Sequence, residues 1–388
     1  MKWSNYSHCS FITTAHFYGG IVMKILFLGG AGDMAVTMLE LMKGEQIVEK
    51  VVIADLDREK ADQKAREYGS KFSAARIDVN ERNSLIEIMK GNDVIINYAG
   101  PFYRFERPVA DATIEAGVHY ISIADDYDAY LEVEKLDSKA KERGVKILTG
   151  FGNSPGLTQI LAKKGYLCID EPEGIAVSWA AGSNEAVGPA NLLHLFHLLS
   201  GETLQWRDGK EKYVPCGGGR KTVDFPPPIG RLPVFYTGHA ESVSLPRNLK
   251  GLKYVSVHGG VSPVFDLKVV RFLARLGLTK THRRRQRLFN IVKPILPLFQ
   301  SEKAPDKSVG RIEVWGRHEG AEKKVYYTYV GHIAFITSAP CLQAAVWLHQ
   351  GKFKKLPGGV YAAERLIEDP EPFLAELRKR GVEMAYFE

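Results

Sequence analysis

The feature that most constrains this fold is an alternation of short β-rich runs with helical stretches between residue 23 and about residue 151. Six runs are predicted as strands, at 24–28, 50–54, 73–77, 93–98, 118–123 and 145–149. Helices are predicted between them, at 33–43, 58–68, 82–89, 105–116 and 127–143. Strands joined by crossover helices form a parallel sheet that is covered on both faces. This part of the chain is therefore predicted to be a doubly wound α/β domain.

The turn after the first predicted strand has the spacing Gly-x-Gly-x-x-Ala, formed by Gly30, Ala31, Gly32, Asp33, Met34 and Ala35. The spacing is weak evidence alone, but here it follows a strand and opens a helix. Gly30 permits a tight turn, Gly32 lets the backbone approach a pyrophosphate, and Ala35 lets the helix pack closely on the strand. The free N–H groups at the helix N-terminus then face the phosphates. These residues predict a Rossmann-type dinucleotide site.

Other cofactor contacts are predicted at the ends of the next strands. Asp55 lies twenty residues past the glycine motif, where a carboxylate accepts hydrogen bonds from the adenosine ribose. A carboxylate there repels a 2′-phosphate, so NAD is favoured, although the nearby Arg58 keeps NADP as an alternative. Asp78 is predicted to border the adenine, with an ordinary turn aspartate as the alternative. The loop after the fourth strand is predicted to flank the nicotinamide ribose, through Ala99, Gly100 and Pro101.

After Gly156 the pattern changes to hairpins with few crossover helices. A strand is predicted at 174–183, a helix at 189–200 and two strands within 311–332. The Gly- and Pro-rich residues 216–233 are predicted to be an extended loop. Helices are predicted again at 339–349 and 370–380. This pattern favours a second, α+β domain built on a mixed or antiparallel sheet.

Charge and cysteine content exclude several classes of protein. The chain has 52 Lys and Arg against 45 Asp and Glu, a formal charge of +7. Nine of the basic residues lie within 268–293 without an acidic residue, so the basicity is local and nucleic-acid binding is not predicted. The four cysteines have neither metal nor disulfide spacing, which predicts a cytoplasmic protein without a metal site. No apolar run is long enough to span a membrane.

Five segments of the chain resemble the saccharopine dehydrogenase family. They are VIINYAGPF (94–102), AGVHYISIADD (116–126), TGFGNSPGLTQILA (149–162), PPPIGRLPVFYTGHAESVSLPRNLKG (226–251) and GGVYAAERLIEDPEPFLAELRKRGV (358–382). The resemblance implies a Rossmann-like domain, a substrate domain whose mixed sheet forms a homodimer, and C-terminal helices that pack back on the first domain. It also implies NAD or NADP as cofactor.

The predicted organisation has four parts. Residues 1–22 form a flexible extension, because MKILFLGG at Met23 resembles a natural protein start. The dinucleotide-binding domain covers 23–155, the substrate and dimerisation domain covers 156–338, and the C-terminal helices cover 339–388.

Candidate catalytic residues follow the fifth strand. Asp125 and Asp126 are adjacent carboxylates, and crowding of like charges raises one pKa toward the range that a general base needs. A solvated turn that caps the next helix is the alternative interpretation. His239 and Tyr120 are rival proton-transfer groups.

Substrate contacts are predicted from the family resemblance and from side-chain chemistry. Ser122 takes the position of an aspartate that is usual in the family, and Asn153 and His239 are further candidates. Arg247 is the first choice to hold a substrate carboxylate, because its guanidinium suits bidentate binding, and Arg231 is the second. The loop with Asn153 and Ser154 precedes Pro155-Gly156, so it either closes over the substrate or forms an N-capping turn.

The basic segment has three interpretations. Apolar residues alternate with cations at helical spacing within 264–299, which fits a subunit interface, a peripheral membrane contact or an anionic-substrate site.

The resemblance implies an oxidoreductase that transfers a hydride at a carbon–nitrogen bond of a small amino-acid or amine substrate in amino-acid metabolism. The alternatives are a membrane-associated reductase of a hydrophobic substrate and a nicotinamide-binding protein without turnover.

Overall fold

The computed structural model describes residues 22–185, 198, 201–262, 279, 281–292 and 305–388. The predicted extension 1–22 lies outside this range except for its last residue. The predicted helix 189–200 lies outside it except for Leu198, and most of the basic segment does so as well.

The first sheet is parallel and contains the six predicted strands. They are β1 (Met23–Leu28), β2 (Val48–Asp55), β3 (Phe72–Arg76), β4 (Val94–Asn97), β5 (His119–Ser122) and β6 (Lys146–Leu148). The strand order β6-β5-β4-β1-β2-β3 reverses beside β1, as in doubly wound dinucleotide-binding folds. The crossover helices are α1 (Ala35–Gly44), α2 (Arg58–Tyr68), α3 (Arg82–Met89), α4 (Phe102–Ala116), α5 (Tyr127–Glu134) and α6 (Asp137–Glu142).

Two of these helices differ from the sequence-based expectation. Helix α4 begins at Phe102, three residues early, because the carbonyl of Pro101 accepts its first helical hydrogen bonds. The helix predicted at 127–143 is divided into α5 and α6, which are separated by Lys135 and Leu136.

The second sheet is mixed, which confirms the predicted fold class. After helix α7 (Leu157–Leu167), its strands in chain order are β7 (Glu171–Gly182), β8 (Glu202–Arg207), β9 (Lys210–Pro215), β10 (Lys221–Asp224), β11 (Arg231–Tyr236), β12 (Tyr254–Ser262), β13 (Ser308–His318) and β14 (Ala321–Gly331). Only β7 and β12 pair in parallel; the other pairs among the described strands are antiparallel. The prediction of an extended loop at 216–233 was wrong in part, because β10 and the first residues of β11 form a hairpin there.

The remaining elements connect the two sheets. They are α8 (Glu241–Asn248), α9 (His282–Val292), α10 (Ile333–His349), β15 (Gly359–Tyr361), α11 (Ala363–Leu366), α12 (Pro370–Lys379) and β16 (Glu383–Phe387). The C-terminal part was predicted to be helical, but β15 pairs with β6 as a seventh strand of the first sheet. β16 pairs with β14 of the second sheet.

A single hydrophobic core joins the sheets. Its buried side chains come from β1 and from β13, with α7 and α10 between them. A second cluster covers the opposite face of the first sheet under α3 and α4. Of the helices described, none has the length and apolar character needed to cross a membrane.

Candidate active site

The glycine-rich turn has the shape that a dinucleotide pyrophosphate requires. Gly29 has φ +71°, and a Cβ there would lie 2.7 Å from the backbone nitrogen of Ala99, so the turn packs directly on the loop after β4. Above Gly32 there is open space, because a Cβ would meet only the Gly29 carbonyl, at 3.4 Å. Helix α1 starts at Ala35 without a side-chain cap. Its free N–H groups fit a bound phosphate.

Asp55, the last residue of β2, supports the turn. One carboxylate oxygen accepts a hydrogen bond from the Ala31 N–H at 3.1 Å, and the other accepts from the Asp57 N–H at 3.1 Å. Arg58 forms an ion pair with Asp62 on the exposed side of α2. The residue positions therefore fit the adenosine end of a nicotinamide dinucleotide, while the preference for NAD stays a prediction.

Asp78 caps its own turn before α3. Its carboxylate accepts hydrogen bonds from the backbone N–H and the side-chain amide of Asn80, which lower the pKa of Asp78. This geometry is that of an ordinary turn aspartate, and a contact with adenine stays a prediction.

The loop after β4 connects the cofactor turn to the predicted catalytic pair. The Gly100–Pro101 peptide bond is cis, and the backbone N–H of Tyr103 donates to Asp126 Oδ2 at 3.1 Å. Because it accepts this hydrogen bond, the Asp126 carboxylate caps the N-terminus of α4. Asp126 is also buried, with 1% of its surface exposed. Asp126 therefore has a positioning role in the structure, whereas Asp125 is only half-buried.

The second domain reaches this edge of the first sheet through residues 238–240. Asp126 and His239 form an antiparallel β-bridge, the Tyr127 N–H donates to the Gly238 carbonyl, and the Ala240 N–H donates to the Asp125 carbonyl. Asp125, Asp126 and His239, three residues predicted from sequence, are brought together here.

His239 belongs to a buried chain of polar groups. Its Nδ1 lies 3.1 Å from the Ser154 hydroxyl, and that hydroxyl donates to Glu241 Oε1 at 2.5 Å. Thr158 also donates to Glu241 Oε1, at 2.6 Å. The Trp179 ring stacks on the imidazole with a centroid distance of 5.2 Å. Burial raises the pKa of Glu241 to about 7, so this carboxyl exchanges its proton near neutral pH.

Glu241 was not identified from the sequence. It occupies the first turn of α8, where a glutamate normally interacts with the helix dipole at the surface. The available signal was its position two residues after His239 in GHAES, a segment that the family resemblance had already marked.

A second buried carboxyl, Glu106, lies beneath the strand ends. It accepts hydrogen bonds from Tyr120 at 2.6 Å, from Ser122 at 2.5 Å and from Thr149 at 3.0 Å. Burial raises the pKa of Glu106, although these donors oppose the shift. Ser122 and Tyr120 are fully buried, so the structure places the predicted substrate contact and the rival proton-transfer group inside a structural network. Glu106 carries no signal in the sequence, because it lies within a regular helix.

The predicted arginine anchors lie away from this cluster. Arg247 pairs with Glu134 and with Glu211, so both arms of its guanidinium are already occupied. Arg231 is exposed on β11 and lies 3.8 Å from Asp224. Asn153 is buried, with 7% of its surface exposed, and faces the hydroxyl of Tyr329.

The described part of the basic segment is helix α9. Leu288 and Phe289 are buried, whereas Arg283, Arg284 and Arg287 face solvent. Leu288 and Phe289 are therefore already covered and cannot insert into a membrane, whereas Ile291 on the same helix is 70% exposed. The rest of 264–299 lies outside the described residues, apart from Thr279 and Thr281.

Fold and site together define a Rossmann-type nicotinamide dinucleotide-binding protein. Residues 25–148 match the family model described as the saccharopine dehydrogenase NADP binding domain. The first domain is thus similar to that family's cofactor domain, and this match confirms the resemblance and the NAD(P) cofactor predicted from the sequence.

Two relatives are similar to this chain over about 90% of its length. Carboxynorspermidine synthase of Vibrio cholerae is 24% identical over 388 residues, which cover 90% of this chain and 89% of that protein. The enzyme of the same name from Vibrio alginolyticus is 23% identical over 386 residues, covering 91% and 90%.

Two solved structures share the fold. Apo saccharopine dehydrogenase (L-Glu forming) from Saccharomyces cerevisiae has a TM-score of 0.70 at 15% identity, covering 94% of this chain and all of that one. Homospermidine synthase from Legionella pneumophila, in complex with NAD, has a TM-score of 0.61 at 16% identity, covering 94% and 91%. The prediction of an NAD(P)-dependent oxidoreductase of saccharopine dehydrogenase type agrees with these relatives.

Proposed function

We propose that this protein is an NAD(P)-dependent oxidoreductase that makes or breaks a carbon–nitrogen bond in a carboxylated secondary amine. The observation that carries the proposal is the pairing of residues 238–240 with the end of β5. This pairing brings His239 and its buried chain to the carboxyl edge of the dinucleotide-binding sheet. The substrate class is supported by the relatives named carboxynorspermidine synthase.

The reaction needs a proton acceptor on the protein. When a secondary amine is oxidised, its nitrogen loses a proton and the neighbouring carbon loses a hydride, and water then splits the resulting imine. A bound nicotinamide would supply the hydride acceptor, or the donor in the reverse direction. His239 takes the proton, and Ser154 holds its Nδ1. Glu241 adjusts the charge of this chain near neutral pH, since its pKa is about 7.

Two aspartates at the same edge of the sheet have positioning roles in this proposal. Asp126 fixes the loop that flanks the nicotinamide, through its hydrogen bond to the Tyr103 N–H. Asp125 fixes the approach of the second domain, through its backbone carbonyl and the Ala240 N–H. The catalytic role predicted for these two aspartates from the sequence stays a prediction, and in this proposal His239 is the proton acceptor.

The test is oxidation of three amines, carboxynorspermidine, saccharopine and homospermidine, with NAD⁺ or NADP⁺. Formation of reduced nicotinamide is followed by its ultraviolet absorbance. We expect turnover of a carboxylated amine, and a loss of about 100-fold or more in kcat for His239→Gln. His258→Gln, at another buried histidine in the second sheet, is the matched control and should keep its activity. Tight NADH or NADPH binding without turnover of any amine would instead indicate a nicotinamide-binding protein.

We also propose a homodimer that forms through the outer face of the second sheet. On that face Tyr254 packs against Trp315, and Tyr326 stacks on Phe387, which is 37% exposed at its edge. Light scattering of the wild type and of Phe387→Asp tests this assembly, and a monomeric wild type would contradict it. A cytoplasmic location is a further proposal, which cell fractionation tests.

A further inference from the structure

Helix α9 presents one cation to the interior of the protein. Arg285 is 6% exposed and shares the buried face of the helix with Leu288 and Phe289. Its neighbours Arg283 and Arg287 are exposed. A buried guanidinium is costly unless an anion or hydrogen-bond acceptors compensate for its lost hydration.

The contacts of Arg285 leave part of its guanidinium available. Nη1 donates to the Thr279 carbonyl at 3.1 Å, and Cζ lies 5.1 Å from the centroid of the Tyr103 ring. Nε is buried and has no acceptor, and no carboxylate forms an ion pair with Arg285 among the residues that the structure describes. A planar guanidinium whose Nε–H has no acceptor suits the binding of a carboxylate.

The position of Tyr103 indicates which part of the cleft Arg285 faces. Tyr103 lies two residues after Pro101, and its N–H donates to Asp126. This is the nicotinamide side of the dinucleotide site, because the adenosine side is the end of β2 at Asp55. An anion at Arg285 would therefore belong to the substrate and not to a 2′-phosphate.

The anchor predicted at Arg247 is occupied, which leaves the substrate carboxylate without a partner there. Glu134 and Glu211 hold the two arms of Arg247. Arg285, in contrast, combines burial, a free Nε–H and a stacking contact beside the predicted catalytic pair.

We propose that Arg285 binds the carboxylate of the amine substrate and thereby selects carboxylated over plain amines. The inference rests on the proposed function for the identity of the substrate. It assigns the arginine-rich segment a specificity role, through one inward-facing residue.

The experiment compares Arg285→Gln and Arg285→Lys with Arg287→Gln, a solvent-facing control on the same helix. The substrates are carboxynorspermidine and the same triamine without its carboxyl group. For the carboxylated amine we expect KM to rise about 10- to 100-fold in Arg285→Gln, with little change in kcat. Arg285→Lys keeps the positive charge but lacks the planar guanidinium, so its KM for the carboxylated amine should lie between those of the wild type and Arg285→Gln. Arg287→Gln should match the wild type, and KM for the carboxyl-free triamine should not change.

Direct binding separates this inference from the proposed function. Calorimetric titration of carboxynorspermidine into the NADPH-loaded protein should show weaker binding in Arg285→Gln, even if no turnover occurs. An unchanged affinity, or equal losses for both triamines, would overturn the inference while wild-type turnover still supported the function. If Arg285→Gln weakened NADPH and not NADH, the anion would be the 2′-phosphate and the inference would be wrong. Thermal unfolding of each variant confirms that it folds.

Discussion

His239 and Ser154 are 85 residues apart in the chain, yet the ring nitrogen of one lies 3.1 Å from the hydroxyl oxygen of the other. Ser154 follows β6 of the first sheet, and His239 follows β11 of the second. Their contact joins the two domains at the cleft and connects His239 to the buried carboxyl of Glu241. The reactivity of this site should therefore depend on a residue that need not touch the substrate.

The first prediction concerns the pH profile. Since the pKa of Glu241 is about 7, kcat/KM of the wild type should change with an inflection near that pH. Glu241→Gln keeps the shape of the side chain but cannot ionise, so we expect that inflection to disappear and activity to fall. Thr158→Val removes one hydrogen bond to Glu241 and should shift the inflection upward, because that bond favours the ionised form. An unaltered profile in Glu241→Gln would exclude the carboxyl from the relay.

The second prediction concerns stability. Burial raises the pKa of Glu241 from 4.5 to about 7, so the folded state keeps a proton that the unfolded state loses between these values. Its contribution to the free energy of unfolding is full below about pH 4.5 and is lost as the pH rises through about 7. The loss amounts to about 3 kcal/mol. Denaturant unfolding should show Glu241→Gln gaining stability relative to the wild type by about that amount between pH 4 and pH 8. A constant difference would contradict the prediction.

The third prediction separates two glycines of the phosphate turn. A valine at Gly32 would project into open space, so Gly32→Val should fold normally but bind NADPH about tenfold or more weakly. Gly29→Ala is expected to be destabilised by about 1–3 kcal/mol, since φ is +71° and the new Cβ would press on the loop after β4. Fluorescence titration of NADPH and thermal unfolding measure the two effects. Equal stability losses in the two variants would contradict this assignment.

The fourth prediction concerns cofactor preference. Asp55→Ala should weaken NAD binding by about tenfold, through the loss of charged hydrogen bonds to the ribose. Binding of NADP should weaken less, because removal of the carboxylate also relieves repulsion of the 2′-phosphate. The substitution also removes the hydrogen bond that Asp55 accepts from the Ala31 N–H, which weakens the binding of both cofactors. The ratio of the NAD affinity to the NADP affinity is therefore the quantity to measure. A larger loss for NADP would refute the preference for NAD.

The first sheet was predicted well from the sequence, because the alternation of apolar runs with helical stretches and the position of the glycine motif indicated the same fold. Apolar runs alternated with helices, and the glycine motif fixed where β1 ends and α1 begins. The sequence did not predict β15, because a strand of three residues pairs with β6 from more than 200 positions away. The β10–β11 hairpin was hidden for another reason, since its Gly and Pro content is typical of a loop.

The structure shows where the predicted site residues lie, whereas their roles stay predictions. Asp126 and His239 do meet, but the groups that hold them were invisible in the sequence. Glu106 and Glu241 look like ordinary helical glutamates, and only tertiary packing makes them buried. Arg247 looked free because its two acidic partners come from α5 and β9, far apart in the chain.

The segment after α10 supplies an edge strand to each sheet, β15 to the first and β16 to the second. Both sheets are therefore completed only after residues 359–387 have been synthesised, and until then β6 and β14 present open edges to other chains. A fragment ending near residue 155 would lack its outermost strand and should aggregate, although it contains the whole nucleotide-binding motif. Production of the separate nucleotide-binding unit would succeed better with residues 356–366 fused behind it.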